Sequence, residues 1–216
     1  MNINKRYRKE MATYPMLLLV LLIVILALVP AGRQDIPVET SPTVENTAGY
    51  EEFLDALAMR ESTDNYKAVN RYNYLGRYQM GKLALKDAGF MNEKGHWTAK
   101  ANDYGIYSQR DFLNTPAAQD AAVLAYHQKL WFYIQYYELD AYVGRVYCDV
   151  LVTPSGLVAA CHLVGVGSMK KALASGQPAY DGNRVPASEY MKLFGGYDVS
   201  VLWAEETEEP EETEDS

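Results

Sequence analysis

Cysteine is almost missing: Cys148 and Cys161 are the only two in 216 residues. That is too few for a disulfide framework, and there is no Cys-x-x-Cys. In an exported protein the two could pair. Cys161, however, falls in an apolar helical run, where a free buried thiol is ordinary. Histidine is nearly as scarce. His96, His127 and His162 are scattered along the chain, so no zinc-ligand spacing exists and the sequence supports no metal site. Basic clusters are missing from the body of the chain. Between residues 34 and 204 there are 19 acidic and 15 basic residues, −4 net, with no basic stripe. This argues against nucleic acid as a partner. Strand signals are reduced to one β-branched run, "RVYCDVLV" at 145–152. No internal repeat appears at a period of 20–50 residues.

The one long hydrophobic run is "MLLLVLLIVILALV", residues 16–29. Lys5, Arg6, Arg8 and Lys9 precede it, and residues 11–32 carry no charge. Residues 1–32 therefore read as a signal anchor, a membrane helix that holds the rest outside the cell, or as a signal peptide cut near Val29-Pro30-Ala31. The expected location follows: single-pass in the cell membrane with an extracytoplasmic domain, or secreted to the cell wall. Residues 33–48 are rich in Pro, Thr and Glu and read as a linker. Residues 204–216 read as an acidic disordered tail; from Glu205 they hold eight acidic residues and no basic one.

Between the two ends, residues 49–203 form the candidate domain, and its pattern is mainly α. Helical spacing runs through 49–61, 77–88, 116–139, 154–163, a short stretch from Ser168 to Ser175, and 186–194. Thr115-Pro116 and Thr153-Pro154 are start signals, a capping residue followed by proline at the first helical position. The stripe read on the long third helix is Ala117, Ala121, Leu124, Ala125, Gln128, Trp131, Phe132, Gln135, Tyr136 and Leu139, expected to be core. Residues 90–110 read as a long loop with short turns.

One polar residue breaks the pattern. Leu54, Leu57, Ala58 and Glu61 share one helix face, so Glu61 stands where an apolar residue is expected. On this feature alone it could point to water from a frayed end. Held in an apolar wall, it would be a carboxyl whose charged form is disfavoured by desolvation. A glycosidase needs such a group to protonate a leaving-group oxygen. After it, Tyr66, Tyr72, Tyr74 and Tyr78 alternate with Asn70 and Asn73. Aromatic faces with amides suit sugar rings, although a Tyr-rich loop is also ordinary packing. Gly76 permits a positive φ or a close backbone approach.

"ES" at 61–62, "GRYQMG" at 76–81 and the eighteen residues from Glu61 to Gln79 resemble the lytic transglycosylases of the lysozyme-like superfamily. "SGLVAACHLVGVGSMKKAL" from Ser155 is similar to that family's third segment, and "PASEYMKLFGGY" from Pro186 to its closing one. The resemblance spans residues 49–198. It implies a lysozyme-like fold and cleavage of the β-1,4 bond between N-acetylmuramic acid and N-acetylglucosamine. The products would be 1,6-anhydromuramyl ends, formed without metal or cofactor. By resemblance Glu61 is the acid/base, with Ser62, Gly76, Tyr78, Gln79, His162 and Tyr190 about the substrate, peptidoglycan glycan strands. Arg77-Tyr78 replaces the usual Leu-Met, and Cys161-His162 the usual Tyr-Asn. His162, on an apolar helix, reads first as a hydrogen-bonded core residue. Two other functions keep the same features. A hydrolytic muramidase would add a water-positioning carboxylate, with Asp64 or Asp103 available. A non-catalytic peptidoglycan-binding module would keep the aromatic cleft and not require Glu61.

Overall fold

The computed structural model describes residues 48–204. The apolar run with its basic flank, the linker to residue 47 and the acidic tail from Glu205 lie outside the described residues.

The described part is mainly helical. Helix α1 spans Tyr50–Ser62, α2 Lys82–Asp87, α3 Ala99–Asn102, α4 Gln109–Asn114 and α5 Pro116–Tyr136. A hairpin follows, β1 Val146–Tyr147 paired antiparallel with β2 Val150–Leu151. Helices α6 Pro154–Val164, α7 Val166–Ser175 and α8 Ala187–Leu193 complete the set. Both Thr-Pro start signals hold. Pro116 and Pro154 open α5 and α6, and the Thr153 hydroxyl accepts from the Gly156 N–H. The β-branched run forms the hairpin. The second helix is shorter than its pattern implies, opening at Lys82 rather than residue 77. Gln79 sits at φ 47. Bridges Val69–Leu75 and Leu75–Met80 hold the preceding residues in turns instead. Residues 90–110, read as loop, contain α3 and the start of α4, each capped by a hydroxyl, Thr98 and Ser108.

The core lies between α1, α5, α6 and α8. Phe53 is fully buried and packs edge-on against His127, Phe194 and Tyr197. Helix α5 corrects the expected stripe. Its inner face is Ala118, Ala122, Val123, Tyr126, His127, Leu130, Trp131 and Ile134, while Phe132 and Tyr136 are exposed at 53% and 69%. The helix is apolar on most of its circumference, so periodicity does not select the buried side. Helix α6 is almost wholly buried, and α7 turns from it by 116° at Gly165. Helix α8 crosses α6 closely. A Cβ at Gly156 would stand 2.8 Å from the Met191 carbonyl oxygen, so only glycine allows this approach. The buried Ser155 hydroxyl accepts from the N–H groups of Gly196 and Tyr197. The closing segment then pairs with the start of the fold, the Asp198 N–H donating to the Ala48 carbonyl at 2.8 Å. Cys148 and Cys161 are free thiols. Among the described residues no single helix is long and apolar enough to cross a membrane.

Candidate active site

Glu61 lies one residue before the end of α1, and the helix does not fray there. Thr63 closes it at φ 57, and its N–H reaches back to the carbonyls of Ala58 and Met59. The carboxyl is half-buried and faces α8. The Tyr190 hydroxyl donates to Glu61 Oε1 at 2.7 Å, across 129 residues of sequence. Tyr190 itself is only 4% exposed. Burial, with the negative charge of Glu61 second, pushes ionisation of the Tyr190 phenol far up, so it remains a donor. The Gly156–Met191 approach sets α8 at the depth where this phenol meets the carboxyl. Arg60 and Glu189, paired at 2.6 Å on the surface, line up the same two helices; exposed pairs of this kind add little stability.

Ser62 and Gly76 are tied to the main chain. The Ser62 hydroxyl donates to the Arg77 carbonyl at 2.8 Å and accepts from the Asn65 N–H at 2.9 Å. This fastens the end of α1 to the loop that carries Gln79. Gly76 takes φ 73, and a Cβ there would overlap the side chain of Gln119. That buried glutamine reaches in from α5. It accepts from the Arg77 N–H and donates to the carbonyls of Tyr66 and Phe112, each at 2.9 Å. The sequence reading missed Gln119; its signal was a carboxamide in the first turns of an apolar helix.

Of the Tyr-rich loop, Tyr72 and Tyr74 are about half exposed and available as stacking surfaces. Tyr78 is not, being 1% exposed. Its hydroxyl donates to Asp120 at 2.8 Å and accepts from Arg77 at 2.7 Å. Arg77 is the centre of a second cluster. Its guanidinium bonds Asp55 and Asp64 at 2.6 Å each and lies over the rings of Tyr66 and Tyr78. Asp64 is thereby committed to an ion pair. Asp103 caps the end of α3.

Gln79 and His162 share the wall of a cavity of about 790 Å³, with Tyr72, Tyr74, Asp87, Tyr126 and Tyr133 among its other lining residues. Glu61 is not part of that lining. The two regions meet at His162, which lines the cavity and also feels the Glu61 charge. The Gln79 side chain donates to the Gly76 carbonyl at 2.9 Å, which leaves its oxygen free. His162 is bonded on both ring nitrogens, to His127 and to the Tyr78 carbonyl. Burial lowers its pKa, opposed by Glu61 and by that carbonyl. Glu61 and Tyr190 thus meet through one hydrogen bond and Gln79 and His162 in one cavity wall, the two pairs linked by the charge of Glu61 on His162, while Ser62 and Gly76 brace the loop and Tyr78 is packed inside it. Comparison with family models, curated proteins and solved structures gave no match.

Proposed function

We propose that the chain is a peptidoglycan lytic transglycosylase with a lysozyme-like domain. The reading is carried by one observation: the Tyr190 phenol donates to Glu61, a half-buried carboxyl at a helix end. A tyrosine bond to one oxygen leaves the other oxygen as the place for a transferable proton. The cavity shared by Gln79 and His162, walled by tyrosines, has the size and lining of a ligand cleft.

In this reading Glu61 protonates the glycosidic oxygen between N-acetylmuramic acid and N-acetylglucosamine. The C1–O bond breaks, and the substrate's own 2-acetamido oxygen stabilises the cationic sugar. Glu61, now ionised, takes the proton of the C6 hydroxyl as that oxygen bonds to C1. The proton lost in the first step is regained in the second, and no water is consumed. Asp64 would serve the hydrolytic alternative poorly, because Arg77 already neutralises it at 2.6 Å. Export by residues 1–32, as a membrane anchor or a cleaved signal, would bring the domain to its polymer.

The test is Glu61→Gln in the full chain, assayed by release of dye-labelled peptidoglycan. The amide keeps the shape and the Tyr190 contact but has no proton to deliver. Activity is expected to fall by about 10²–10⁴-fold with thermal stability nearly unchanged. Activity close to wild type would remove the enzyme reading and favour a wall-binding module.

A further inference from the structure

A chain of polar groups, centred on the buried His127, runs behind the cavity. The Tyr50 hydroxyl is 2.9 Å from His127 Nδ1, and His127 Nε2 is 3.0 Å from His162 Nδ1. His162 Nε2 is 3.2 Å from the Tyr78 carbonyl oxygen. His127 is fully buried, and desolvation, then the neighbouring His162, holds its pKa well below the ordinary imidazole value. Three helices, α1, α5 and α6, thus converge on the main chain of the 76–80 loop.

Chemistry fixes every proton in this chain. A carbonyl only accepts, so His162 Nε2 carries hydrogen. In the neutral ring His162 Nδ1 is then an acceptor, and His127 Nε2 must donate to it. His127 Nδ1 is left as an acceptor for the Tyr50 O–H. Both nitrogens of His162 are therefore occupied, and it offers no free acid or base to the cavity it lines. What it does hold is the peptide between Tyr78 and Gln79, at a residue whose φ of 47 is costly for a non-glycine.

We propose that Tyr50, His127 and His162 are positioning residues: their directed hydrogen-bond chain pins the Tyr78–Gln79 peptide and so aims Gln79 into the cavity. This rests on the proposed reading of that cavity as the glycan cleft. The groups facing His162 are Glu61, Tyr126, His127 and the Tyr78 carbonyl. Those facing His127 are Tyr50, Phe53, Tyr126 and His162. A proton added at His162 Nδ1 would meet the His127 N–H. The chain would survive only by reversing at His127, which strips Tyr50 of its acceptor.

The experiment compares His162→Leu and His162→Gln in the full chain, held in detergent. Glutamine can donate to the Tyr78 carbonyl and accept from His127; leucine can do neither. On soluble glycan strands, His162→Leu is expected to raise KM about tenfold to a hundredfold, as a misplaced contact does, while His162→Gln stays within about threefold of wild type. Two NMR readings need no activity. In the wild type at pH 7.5 the His162 nitrogens should show the neutral Nε2–H form. The Gln79 side-chain amide should shift in His162→Leu and not in His162→Gln. A His162 ring in the Nδ1–H or doubly protonated form would overturn the proposal, as would an unmoved Gln79 amide or unchanged kinetics in a folded His162→Leu. If no variant cleaves glycan but the NMR readings hold, the function reading fails and the positioning chain stands.

Discussion

A carboxyl on the inner face of a helix needs a donor, and a buried phenol needs an acceptor; Glu61 and Tyr190 meet both needs with one bond. The same accounting explains Gln119, whose carboxamide bonds three backbone groups at 2.9 Å each. Its position also explains Gly76, where the chain turns at φ 73 with the glutamine against its Cα. Gly76→Ala would add backbone strain and displace that carboxamide from buried partners. The expected loss is about 3 kcal/mol or more. For a domain of this size that is a fall in Tm of about 6–12 °C. Calorimetry on the full chain checks it, and a change under 2 °C would mean the loop gives way cheaply. Legibility at this scale was uneven. Glu61 stood out because it broke an apolar pattern. His127 did not, since its role depends on meeting Tyr50 and His162 in space, and no spacing in the sequence records that contact.

Among the elements, helix existence was legible and helix facing was not. Capping signals with proline at the first position are local chemistry, and α5 and α6 begin where Thr115-Pro116 and Thr153-Pro154 put them. The inner face of α5 is decided by what packs on it. Exposed Phe132 and Tyr136 misdirect a reading based on hydrophobicity alone. The start of α2 was misread because Gln79 takes a left-handed φ that its residue type does not advertise. The contact of α5 with α6 has a pH consequence. His127 and His162 both have lowered pKa values in the folded state, from burial. The unfolded chain, with imidazoles near 6.5, therefore binds more protons as pH falls through that value. Stability is full above about pH 6.5 and declines as pH drops toward the folded values, by up to about 1.4 kcal/mol per pH unit for each ring. Ordinary carboxylates protonate only near pH 4, so the window from pH 6.5 to 5 reports on the imidazoles. Denaturant unfolding across it should show the decline in the wild type and a shallower one in His127→Gln. Equal slopes in the two would show that His127 is not the group being protonated.

For the whole molecule, the reaction outcome depends on whether the fold supplies a second carboxylate to the site. Asp55 and Asp64 are both held by Arg77, and Asp120 is bonded by two tyrosine hydroxyls. Asp103 closes α3, in the stretch between the α2 region and α4. None of these is drawn toward Glu61, whose recorded side-chain partner is Tyr190. Among the described carboxylates Asp87 lines the cavity itself, where burial raises its pKa against Lys129 and a hydrogen bond from Tyr133; in the proposed reading the sugar's own C6 hydroxyl is the expected attacking group. Incubating the full chain with peptidoglycan in heavy-oxygen water separates the outcomes. Hydrolysis places label in the new sugar end, whereas internal attack does not, and the two products differ by one water, about 18 Da. Unlabelled 1,6-anhydromuramyl ends are expected. Labelled reducing muramic acid would assign the chain as a muramidase, and Asp64→Asn and Asp87→Asn would then be the variants to make, since each removes a carboxylate that could position the attacking water. Pelleting with the polymer and releasing nothing would leave the cleft as a binding surface, with Glu61 and Tyr190 serving only to close α1 against α8.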